Sequence, residues 1–240
     1  MLAIHSEDGK LTAEDVERVA DGHRNDPNYE HVVKPGMIYI SNPTELGTIY
    51  SREELERISE ACRRNHLLLY MDGARLAYGL ASRENTLTLP DIARFCDAFY
   101  IGGTKCGALF GEALVITCDE LKSDFRYIMK QRGALLAKGF LLGAQFLALL
   151  PVMSRYAAHA IELAERIRQA LVDAGVKLFI DSPTNQIFPV LEPDAELLKL
   201  LNEKFLLDPW PDNTYRITTD WSTRTEDVDE LVGVIAQSRK

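Results

Sequence analysis

The segments Leu67-Leu-Leu-Tyr-Met-Asp72-Gly-Ala-Arg75 and Phe99-Tyr-Ile-Gly-Gly-Thr104-Lys105 decide how this chain folds. Each is a short apolar run that stops abruptly at glycine and ionisable groups. Apolar runs of this length bounded by glycine predict buried parallel strands. In open α/β sheets, groups at the carboxyl ends of such strands face the binding crevice. The reading therefore puts an acid, a guanidinium and a lysine amine at the rim of one sheet.

Working outward, Met37-Ile-Tyr-Ile-Ser41 before these segments and Ala113-Leu-Val-Ile-Thr117 after them read as further strands. Helical signatures lie between. Thr12-Ala-Glu-Asp15 opens one as a cap followed by acids, and Ser51-Arg-Glu-Glu54 fits a capping box continued by Leu55, Ile58 and Cys62. A shorter helix is predicted over 87–95, near Pro90. Strand and helix alternate, which points to βαβ units and a mostly parallel sheet. The pattern turns helical over 119–150, and Pro151 opens another long helical stretch ending near Gly175. Beyond it, 176–180, 186–191 and 214–219 read as strands, with helices near 194–204 and 226–237. The expectation is an α/β large domain over 1–150 and a small α+β domain over 151–240.

Composition narrows the class. With 46% hydrophobic and 26% charged residues, the 240-residue chain is ordinary globular material able to bury a core. Its net charge of -9 argues against a general nucleic-acid or anionic-membrane surface. No uninterrupted apolar run approaches the roughly twenty residues that span a bilayer, and the first residues lack a basic, signal-like start. Cys62, Cys96, Cys106 and Cys118 are widely spaced, so reduced cysteines in a cytoplasmic protein are expected. The five histidines form no close pair, and no metal site is expected. No G-x-G-x-x-G or Walker loop follows an early strand, which weighs against a nucleotide-binding module.

An acid directly after a run of apolar residues suffers desolvation unless it meets a cation. One such cation is the protonated ring nitrogen of pyridoxal phosphate, which a carboxylate keeps charged so that the ring drains electrons from a carbanion. Arg75 reaches back into the same crevice; the plainer alternative is an Asp turn with an Arg salt bridge. Lys105 is the natural counterpart of Asp72. A desolvated lysine amine is nucleophilic and forms Schiff bases with aldehydes, although a loop lysine also simply points to water. Gly102, Gly103 and Gly107 allow close backbone approach, and Thr104 is placed to bond a phosphate oxygen.

Asp72-Gly-Ala-Arg75-Leu, Phe99-Tyr-Ile-Gly-Gly-Thr-Lys105 and Gly111-Glu-Ala-Leu-Val-Ile together resemble the threonine aldolase and β-eliminating lyase group. The resemblance runs from about Gly9 to the C-terminus. It implies pyridoxal-phosphate enzymes of the aspartate-aminotransferase fold (fold type I). It further implies that Lys105 carries the cofactor, that Asp72 pairs with the pyridinium, and that Arg75 lies beside ring and substrate. In Tyr215-Arg216-Ile-Thr, Arg216 matches the family's arginine for the substrate α-carboxylate, a task suited to a planar guanidinium.

Two departures accompany the resemblance. Family members carry a segment ahead of the point where this chain begins, with the loop for the cofactor phosphate and an aromatic residue stacked on the ring. The chain is therefore expected to be an N-terminally incomplete large domain. Ser41-Asn-Pro-Thr44-Glu45-Leu-Gly47 also replaces a Glu-Asn-Thr-His type string, leaving Thr44 or Glu45 near the place of a base for the β-hydroxyl. A Glu45 base requires burial. The implied reaction is cleavage of a β-hydroxy-α-amino acid to glycine and an aldehyde, in a homodimer or homotetramer. β-Elimination or transamination would use the same anchors, and a non-catalytic fragment is the alternative outside enzymes.

Overall fold

The computed structural model describes residues 1–193 and 195–238. Its larger sheet has the order β1-β2-β3-β4, formed by Met37–Ser41, Leu68–Asp72, Ala98–Ile101 and Ala113–Ile116. The first three strands run parallel and β4 returns antiparallel, so the sheet is mostly parallel as expected. In register, Ser41 lies opposite Asp72, which brings the loop after β1 beside the loop after β2.

The crossover helices begin where capping chemistry starts them. Thr12, Ser51 and Thr88 each accept from the backbone N–H three residues on, and Asp15, Glu54 and Asp91 reciprocate. They open α1 (Ala13–Arg24), α2 (Arg52–Arg64) and, after a short α3 (Leu76–Ala81), α4 (Leu89–Phe95). Val16, Leu55, Ile58 and Ile92 on these helices pack against Ile38, Ile40, Leu69, Met71 and Phe99 of the sheet. On the opposite face Met37 and Tyr39 are about half exposed, at 47% and 51%. This corrects the expectation of strands buried on both faces: burial in β1 alternates because only one set of alternate residues meets α1 and α2.

The expected break at Pro151 is absent. One helix, α7 (Phe140–Asp173), runs through it, after the shorter α5 (Asp119–Lys122) and α6 (Phe125–Gln131). Among the described residues α7 alone is long and apolar enough, by length and composition, to cross a bilayer. Phe146, Leu149, Met153, Ala157 and Ala160 of α7 pack against Ala77 and Tyr78 of α3 and against Cys106. Farther along, Leu163, Ile167 and Leu171 enter a separate core with Ile187, Leu198, Leu231 and Ile235. The residue-151 division thus falls inside a helix that serves both cores.

That second core lies under a small antiparallel sheet, β5-β7-β6, made of Gln186–Ile187, Thr214–Thr218 and Asp208–Trp210. Residues 176–180 form no continuous strand; they pair through Phe179 N–H to Phe188 O and Val190 N–H to Lys177 O. The helix expected over 194–204 is α8 (Glu196–Asn202), and Asp194 lies outside the described residues. The last helix, α9, spans Thr225–Gln237.

Candidate active site

Two glycines bring the ends of β2 and β3 together. A Cβ on Gly73 would stand 1.8 Å from the Tyr100 carbonyl oxygen, and one on Gly102 2.2 Å from that of Ala74. The Gly102 N–H donates to Gly73 O at 2.9 Å. Any side chain at either position would part the two loops, and with them Asp72 from Lys105.

Asp72 closes β2. Its Oδ1 accepts from the Ala74 N–H at 2.9 Å and from the Tyr100 hydroxyl at 2.5 Å, while the Tyr39 hydroxyl donates to Oδ2. Burial opposes its charge. The bonds from Tyr100, Tyr39 and Ala74, with the charge of Lys105, outweigh that cost and hold the carboxyl below the usual carboxylate range. A carboxylate has about four lone-pair sites; three are used here, so one is left for a further donor. Tyr39 and Tyr70 stack at 5.4 Å between ring centroids, and Tyr100 follows at 6.4 Å, giving an aromatic row beside Asp72.

Lys105 sits in a 3-10 turn, Thr104–Cys106, just beyond β3. The Tyr78 hydroxyl of α3 donates to the Lys105 carbonyl oxygen. Glu112 accepts from the Gly103 N–H and, at 2.8 Å, from the Thr104 hydroxyl, fixing the start of the turn. Thr104 therefore faces a carboxylate, and must leave it to bond a phosphate. The Lys105 amine is pushed below the ordinary lysine range by burial first, then by the Arg75 guanidinium. Glu45 and Asp72 work against this, and Arg216 with it. The structure thus brings Asp72, Arg75, Lys105 and Arg216 into one electrostatic neighbourhood, although β7 lies far along the chain.

Arg216 is held from several sides. Its Nε and Nη2 donate to Asp208 Oδ2 at 2.9 and 2.6 Å, and Nη1 lies 3.5 Å from Gln186 Oε1. Its guanidinium stacks over the Trp210 ring at 5.2 Å, a cation–π contact. Glu45 reaches the same place from the loop after β1: Oε1 is 3.4 Å from Arg75 Nη1 and Oε2 is 3.7 Å from Arg216 Nη1. The glutamate side chain is 64% exposed, so the burial that a base requires is absent. Thr44 is buried, with its hydroxyl 2.7 Å from that of Thr48.

Sequence reading missed Tyr39, Tyr100, Tyr78, Glu112, Asp208, Gln186 and Trp210. One signal was visible for the tyrosines. Tyr39 and Tyr70 occupy matching positions in strands expected to pair, and Tyr100 sits just ahead of the second glycine motif. Among the described residues no group of three His, Cys, Asp or Glu is placed to hold a metal ion.

Comparison with known proteins agrees with this geometry. The family model for "Beta-eliminating lyase" matches residues 2–192. A low specificity L-threonine aldolase of Pseudomonas sp. (strain NCIMB 10558) is 33% identical over 239 residues, covering 98% of this chain and 68% of the relative. A solved threonine aldolase of Leishmania major superposes with a TM-score of 0.92 at 41% identity, covering 100% of this chain and 70% of that one. An aspartate aminotransferase variant of Thermus thermophilus, 15% identical, superposes with a TM-score of 0.63 over 89% of this chain and 60% of its own length. That likeness shows a shared fold alone. The chain spans about two thirds of the length of the aldolases it matches.

Proposed function

From the premise that this chain belongs to the beta-eliminating lyase family, we propose that it cleaves a β-hydroxy-α-amino acid of the threonine type to glycine and an aldehyde, with pyridoxal phosphate as cofactor. The single observation that supports the reading is that Glu45 lies within 3.4 Å of Arg75 and 3.7 Å of Arg216, while the charges of Arg75, Asp72 and Arg216 all act on Lys105.

The donor set fits the ring end of that cofactor. Asp72 is ionised and has one lone-pair site unused, as a carboxylate must to hold a ring N–H. When bound, the cofactor supplies an electron sink for the carbanion left by bond cleavage. The Lys105 amine, depressed by burial and Arg75, would hold the cofactor through its aldehyde carbon, with loss of water. Arg216 is pre-set by Asp208 and Trp210 to take the substrate carboxylate, and so orients the bond to be broken. Arg75 supplies a second positive charge beside the ring and the substrate. Thr104 is the proposed phosphate contact, reached by releasing Glu112.

The assembly proposed is a homodimer or homotetramer in the cytoplasm. Exposed apolar side chains on α7, among them Leu141, Leu147 and Leu150, support a subunit contact. Sedimentation at several concentrations tests this, with a purely monomeric chain as the contrary result.

The test of function incubates the chain with pyridoxal phosphate, reduces it with borohydride and maps the adduct by mass. Label is expected on Lys105, and a separate unreduced sample of the loaded chain should release acetaldehyde and glycine from threonine. Lys105→Ala should lose the label and at least about a thousandfold in rate, whereas Arg216→Ala should raise KM by about tenfold or more. A folded chain that takes no label at Lys105 would overturn the reading.

A further inference from the structure

The Glu45 side chain lies where an arriving carboxylate would have to go. Arg75 is nearly covered, at 11% exposed, and its one ion pair among the described residues is with Glu45. Arg216, at 22%, spends two of its nitrogens on Asp208 and turns the third, Nη1, toward Glu45 and Gln186. The two Glu45 oxygens are divided between the two guanidiniums.

The backbone beneath this carboxylate is pinned. The Gly47 carbonyl accepts from Ser182 at 3.2 Å and from Thr184 at 3.0 Å, and Gln186 Nε2 approaches Glu45 O at 3.4 Å. The side chain itself stands out in solvent. The backbone is tied while the side chain, 64% exposed, is held among the described residues only through its contacts with the two arginines.

We propose that Glu45 is a built-in substitute for the substrate carboxylate: it spans Arg75 and Arg216 and swings off Arg216 when an amino acid binds. The inference rests on Arg216 as the carboxylate anchor. Its physical basis is competition, because two carboxylates cannot share one guanidinium edge without repulsion. Glu45 keeps two cations and the neighbouring Lys105 from repelling one another. It also sets a threshold that an incoming acid must exceed, which weakens carboxylate binding in exchange for an ordered site. Being largely exposed, the pair has a modest effect.

The test titrates acetate into the cofactor-free chain and follows the 15N guanidinium signals of Arg75 and Arg216. Glu45→Gln is expected to tighten acetate binding by about two- to fivefold. Glu45→Asp, too short to span both arginines, should follow the glutamine variant rather than the parent. With threonine and the cofactor-loaded chain, Glu45→Gln should lower KM. The pH midpoint for labelling of Lys105 should also move down, since a negative neighbour has gone. Unchanged or weaker acetate binding, no guanidinium response in any of the chains, or a kcat collapse at constant KM would overturn the proposal. Failure of Lys105 to take the cofactor would instead sink the proposed function, and would leave the acetate titration standing.

Discussion

At the scale of single residues, the proposed site turns on Asp72 and the hydroxyls that donate to it. Tyr39 and Tyr100 stabilise the carboxylate against the cost of its burial, and each is itself pushed up from the ordinary tyrosine range, by desolvation first and by Asp72 next. Replacing both with phenylalanine should raise the Asp72 pKa, read by carboxyl 13C titration. Cofactor affinity should fall by about three- to tenfold, the loss expected for a bond to a charged acceptor. The stability sign follows from the depressed folded pKa: the contribution of Asp72 is complete above the ordinary carboxylate range and is lost as pH falls through the depressed value. The double variant should therefore unfold at a less acidic pH than the parent. The placing of Asp72 and Lys105 at the ends of β2 and β3 was legible from the apolar runs before them. Their hydroxyl partners were not, because a tyrosine in a strand reads first as packing.

At the scale of elements, the crossing of the loops after β2 and β3 depends on Gly73 and Gly102. Gly73→Ala should destabilise the fold by on the order of 3 kcal/mol or more, since backbone atoms, not a flexible side chain, stand in the way. Gly22 provides the control. It lies inside α1 with nothing near its Cβ position, so Gly22→Ala should stabilise by up to about 1 kcal/mol. Urea denaturation of the two variants measures both, and equal effects would contradict the crossing argument. Helix starts at Thr12 and Ser51 were predictable because caps act within a few residues; the cap at Thr88 was not read. The end of one helix and start of the next at Pro151 was predicted wrongly. The long run of flanking helix formers and packing on both sides of α7 outweigh the lost hydrogen bond.

At the scale of the whole molecule, the site exists only where two cores meet. Asp72 ends a strand of the larger sheet and Arg75 and Lys105 follow its strands, whereas Arg216 stands on the small sheet. The link between them is the loop after β1, whose Gly47 carbonyl is held by Ser182 and Thr184. Replacing those two hydroxyls (Ser182→Ala with Thr184→Val) strands a buried carbonyl and should cost about 1–3 kcal/mol. It should also widen the gap between Arg75 and Arg216, read as weaker acetate binding. Unchanged affinity with lowered stability would mean that the tie is purely structural.

By itself, the sequence determined the α/β class, the strand ends, the helix caps and the residue types at the rim, because propensity and periodicity act over a few neighbours. Only the tertiary structure decided that Glu45 lies between Arg75 and Arg216, or that Thr184 holds a carbonyl 137 positions away. Contacts of that range depend on how two separately packed cores dock, and no local pattern carries that information.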